Sequence, residues 1–136
     1  MVINYMRQRS DDDCGITAIA MATGSDYDAV RAEIGRNSIN QTDFEEWCRS
    51  HGYAWQIVYQ NHVGPDRRFH KREEWPPRPF APVHVCQVKA TRDLHFTVMD
   101  GDGVVFDPWS EERKSLTHPD YRELHWVMGL FKLPLL

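Results

Sequence analysis

Apolar and polar positions change their period once along this chain, near Gly52, and that change divides it into a helical half and a strand half. Cys14 to Thr23 (CGITAIAMAT) is small and apolar nearly all round, the pattern of a helix buried on most sides, and Gly24 ends it. Ser25-Asp26-Tyr27-Asp28 reads as a capping box with Asp in place of Glu, opening a second helix that runs to about Ile34 and closes at Gly35. Thr42-Asp43-Phe44-Glu45 reads as a full capping box for a third helix, Asp43 to His51, with Gly52 at its end.

Beyond Gly52 the period becomes strand-like. Tyr53 to Tyr59 is aromatic and β-branched, and Val83 to Val88 alternates so as to give a strand with one apolar face. His95 to Met99, the turn Asp100-Gly101-Asp102-Gly103 and Val104 to Phe106 form the clearest hairpin, its Asp-Gly pairs supplying positive φ. His125 to Leu133 reads as a last strand. Residues 61–80 hold four prolines and the basic run Arg67-Arg68-Phe69-His70-Lys71-Arg72, and read as a surface excursion. Residues 110–120 are polar and loop-like. Helices first and antiparallel strands second imply an α+β fold, with the helices packed on a C-terminal antiparallel sheet.

Composition narrows the function classes. A length of 136 residues fits one domain, residues 1–136, and an apolar share of 41% supplies a core. The net charge of −4 argues against non-specific nucleic-acid binding. No apolar run is long enough to span a bilayer, so no membrane partner is expected. Residues 1–20 carry two Arg and three Asp without the apolar stretch of a secretion signal, which leads to a cytoplasmic expectation. Three cysteines, at 14, 48 and 86, are too far apart for a zinc knuckle or dithiol site. The seven histidines show no metal-site spacing, and Asp11-Asp12-Asp13 reads as an acidic flank of the first helix, so no metal and no cofactor is expected. Oligomeric state is not legible.

A few positions stand out chemically. Cys14 begins the most apolar helix, where free amides and the macrodipole stabilise a thiolate. Gly15 beside it would let a substrate carbonyl approach the backbone. Cys48 and Cys86 sit within a helix and a strand and read as core thiols. His95 opens the first strand of the hairpin and Asp107 follows the second, so antiparallel pairing brings a base and its orienting carboxylate together. Of the other histidines only His84 lies in a convincing strand, and no acid follows it at hairpin spacing. Gln8, six residues before Cys14, could donate to a developing oxyanion beside a backbone N–H.

Two blocks, Gln8 followed by Asp13-Cys14-Gly15-Ile16-Thr17-Ala18-Ile19-Ala20-Met21, and His95-Phe96-Thr97-Val98-Met99-Asp100-Gly101 followed by Phe106-Asp107-Pro108, resemble the papain-like cysteine peptidases. The nearest branch is the peptidases that cut bacterial leader peptides after double glycine. The resemblance implies Cys14 as nucleophile, His95 as base, Asp107 as its partner and Gln8 in the oxyanion hole. It implies a hydrolase acting on a peptide or protein substrate. An acyl or γ-glutamyl transferase of the same fold, or a silent protein that binds a partner, is the alternative.

Overall fold

The computed structural model describes residues 2–60, 79–90 and 93–134. The basic run at 67–72 and most of the 61–80 excursion lie outside the described residues.

Three helices come first: α1 (Cys14–Thr23), α2 (Tyr27–Ile34) and α3 (Gln41–Ser50). Helix α1 has the bounds the pattern predicts, and Gly24 follows it in the left-handed region at φ 69°. The caps of the next two differ from expectation. Asp26, not Ser25, caps α2 by accepting from the Ala29 amide, because the Ser25 hydroxyl is engaged with Thr23 instead. The capping box of α3 is Asn40 with Asp43, placed earlier than the Thr42-based box, so the helix starts sooner. Asn supplies the side-chain oxygen as well as Thr does, and an extended Asn40 backbone fits the cap position.

The strands β1 (Tyr53–Gln60), β2 (Val83–Ala90), β3 (Asp93–Asp100), β4 (Val105–Phe106) and β5 (Tyr121–Lys132) build one sheet in the order β1-β5-β2-β3-β4. All of its described pairings are antiparallel. In the β3–β4 turn only Gly103 has positive φ, at 86°, and the Asp100 carboxylate ties the corner by accepting from the Asp102 and Val104 amides. Strand β5 starts four residues before the expected His125, at Tyr121.

Strand β2 is buried on both faces rather than one. Val83, Val85, Phe96, Val98, Met128 and Leu130 pack with the helices, while Cys86, Val88, Val105, Leu124 and Val127 pack with Leu116 of the 107–120 loop. That loop covers the second face, so alternation in β2 is lost. His84 survives burial because both ring nitrogens are used: Nε2 accepts from the Phe80 and Ala81 amides, and Nδ1 meets the Met99 carbonyl. Desolvation of the ring lowers its pKa, in keeping with a neutral imidazole.

Candidate active site

Cys14 is the first residue of α1, and its amide precedes the intrahelical ladder, which starts with the Thr17 amide on the Asp13 carbonyl. The start of α1 is fixed by Asp13. Its carboxylate is fully buried and accepts from the Arg9 and Ser10 amides and from the Tyr27 hydroxyl, the last at 2.6 Å. Asp13 is therefore not part of a solvated acidic flank; its carboxylate folds back to hold the 8–10 turn against α1. Burial opposes its ionisation, and these three donors outweigh it, so its pKa is lowered.

Gly15 also has a packing reason. A Cβ there would overlap the Ile39 side chain and stand 3.4 Å from the Phe96 ring. The missing side chain leaves room for Ile39, in the segment between α2 and α3, to pack on the start of α1.

His95 and Asp107 meet through the hairpin. Val98 pairs with Phe106 and Met99 with Val105, so continuing the register sets position 107 across from Thr97. His95, two residues from Thr97, shares that face and is the diagonal neighbour of Asp107. The contact is made: His95 Nε2 lies 2.5 Å from Asp107 Oδ1. His95 is the third residue of β3 rather than its first, and the diagonal reach replaces the direct pairing expected from strand ends.

Asp107 is fully buried and each of its oxygens has two partners. Oδ1 takes His95 and the Trp109 amide; Oδ2 takes the Tyr121 hydroxyl at 2.6 Å and the Arg113 guanidinium at 3.4 Å. Desolvation works against the carboxylate, yet hydrogen bonding and charge from His95, then Tyr121, keep its pKa low. Burial likewise opposes charge on His95, which is 8% exposed, but hydrogen bonds with Asp107 and with Cys14 raise the imidazole to about 9. With Nε2 committed to Asp107, Nδ1 is the nitrogen left for the thiol.

A cleft of about 320 Å³ opens over this group, lined by Gln8, Cys14, His95, Trp109, Arg113 and Asp11 among others. The structure thus gathers Gln8, Cys14 and His95 at one cleft, with Asp107 directly behind the ring. Gln8 is stitched to the Asp107 corner, its amide donating to the Pro108 carbonyl at 2.8 Å. Its side-chain Nε2 donates to the Ser10 carbonyl at 2.7 Å, which uses one of its two hydrogens. Tyr5 adds a second stitch, donating to the Asp107 carbonyl at 2.7 Å. Cys48 and Cys86 are buried away from the cleft, and desolvation pushes both thiols up to about 12. Among the described residues no group of three or more His, Cys, Asp or Glu is arranged to hold a metal ion.

Sequence reasoning missed Tyr121, Arg113, Tyr5 and Tyr27. Only Tyr121 left a usable signal: an aromatic directly after Pro119-Asp120, at the kind of boundary where strands begin. Arg113 stands in a polar stretch with no periodicity to mark it.

No protein-family model matches the sequence, and no curated protein sequence matches it significantly. Among solved structures, the fold is similar to the peptidase domain of Streptococcus ComA, a bifunctional ABC transporter involved in a quorum-sensing pathway. The TM-score is 0.65 at 15% identity, over 98% of this chain and 100% of that one. At that identity the likeness is one of architecture: among the described residues, three helices against a five-stranded antiparallel sheet, an α+β arrangement.

Proposed function

We propose that this protein is a cysteine peptidase that cleaves an amide bond through an acyl-enzyme on Cys14. The observation that carries the reading is the His95 ring, bonded through Nε2 to a fully buried Asp107 and interacting with Cys14 at the start of α1. In this reading His95 holds the thiol's proton, Cys14 Sγ attacks the carbonyl carbon, and the imidazolium passes the proton to the departing amine as the C–N bond breaks. Water then attacks the thioester, with His95 as general base. Asp107 fixes the tautomer and direction of the ring. The free amide of Cys14 and the second Nε2 hydrogen of Gln8 are the donors for the oxyanion.

The other two thiols give the test its contrast. Treating the full chain with iodoacetamide near neutral pH and weighing it intact should yield one adduct, mapped to Cys14 and absent in Cys14→Ala. Preferential modification of Cys48 or Cys86 would overturn the assignment.

A further inference from the structure

The Asp107 carboxylate has more partners than a base-orienting role requires. One oxygen serves His95; the other is held by Tyr121 and Arg113, which arrive from different parts of the chain. Tyr121 is fully buried at the start of β5, and Arg113, 9% exposed, also donates through Nε to Asp120 at 3.0 Å. The oxygen that the imidazole does not touch thus carries both a short phenol bond and a cation.

We propose that Tyr121 and Arg113 are positioning residues acting through Asp107: by engaging its second oxygen they draw off part of the carboxylate's charge, so that His95 is held in place but still gives up its proton to a departing amine. The inference rests on the role given to His95 above. An acid works best when it does not hold its proton far more tightly than the solution does. A buried carboxylate facing only His95 would exert its full field on the ring in a medium of low dielectric. The phenol spreads that charge through a hydrogen bond, and the guanidinium opposes it directly. Burial and the Asp107 charge keep Tyr121 far above its ordinary pKa, so its O–H remains a donor throughout the working range. The other groups about the pair are Cys14 from α1, Asp11 from the lead-in and Asp93 from β3, which line the cleft, and Tyr5, which meets only the Asp107 carbonyl. Asp120 stands beyond Arg113 and is pinned by it.

The test follows the His95 ring Cε1–H resonance of the full chain by NMR from pH 6 to 11, in wild type, Tyr121→Phe, Arg113→Gln and Arg113→Lys. The wild-type midpoint is expected at about 9. Tyr121→Phe and Arg113→Gln should each raise it, by about 0.5–1 unit, and Arg113→Lys should return it close to wild type. Midpoints that stay put or fall in both variants, with only the melting temperature reduced, would overturn the proposal. Phe keeps the ring of Tyr121 in the core, and Arg113 sits in a loop, so at least one variant remains folded for measurement. Iodoacetamide modification of the same samples keeps the two readings apart: an unreactive Cys14 counts against the peptidase assignment, whereas unmoved midpoints count against the clamp.

Discussion

At the scale of single residues, the site is a chain of charge and hydrogen bonds running from Cys14 through His95 and Asp107 to Tyr121 and Arg113. Asp107 is the member whose loss is easiest to read, because the imidazole stands at about 9 against the pull of its own burial. Asp107→Asn keeps the shape and removes the charge, so the His95 midpoint should fall back toward 6.5, by about 1–2 units. Iodoacetate reports this as kinetics. Its negative charge is drawn by the imidazolium, so alkylation of Cys14 slows as pH rises through the His95 midpoint, and that alkaline limb should move down in Asp107→Asn. An unmoved limb would show that Asp107 does not govern the ring. The direction is opposite to that expected for Tyr121→Phe and Arg113→Gln, so the same ring distinguishes the partner that supplies the charge from those that temper it.

At the scale of elements, local sequence spoke clearly wherever one residue type decides an outcome. The αL glycine after α1, the helical bounds of α1 and the His95 hairpin were all legible, because a left-handed φ and a tight turn admit few residues. The caps of α2 and α3 were displaced because Ser, Thr, Asn and Asp are near-equivalent caps, and tertiary fit chose among neighbours. That choice can be measured. Asn40→Ala should cost about 1 kcal/mol, lowering the melting temperature by about 3–5 °C, while Ser25→Ala should leave it within experimental scatter. Equal losses from both would contradict the assigned caps. The sheet hid more of itself. Strand β2 alternates in sequence but not in burial, since a polar loop folds over its second face, and nothing in Val83 to Val88 announces what lies above it. The partners of Asp107 escaped notice for the same reason: Arg113 and Tyr121 belong to the site through the path of that loop and the start of β5, not through any local pattern.

At the scale of the whole molecule, buried titratable groups give the fold a dependence on pH with two arms. His95 has a folded pKa raised above its unfolded value, so its stabilisation is complete below about 6.5 and is lost as pH climbs through about 9. His84 has its pKa lowered by desolvation, so its contribution is intact above about 6.5 and is lost on acidification; the lowered carboxyl of Asp107 adds to that arm at still lower pH. The melting temperature should therefore peak near pH 6.5 and decline on both sides. His95→Gln should flatten the profile between about pH 6.5 and 8.5 while leaving the acid arm in place; above that the raised thiols of Cys48 and Cys86 add a decline of their own. A wild-type profile that keeps rising to pH 9 would contradict the sign given to His95.

The stitch between Tyr5 and the corner at Asp107 spans 102 positions of the chain. A contact of that separation carries a large loop-closure cost before it rewards the chain. During synthesis the sulfur at Cys14 emerges well ahead of the carboxylate at Asp107. A growing polypeptide thus carries the thiol before the groups that surround it in the fold, and the cleft is completed only when these two distant stretches are drawn together.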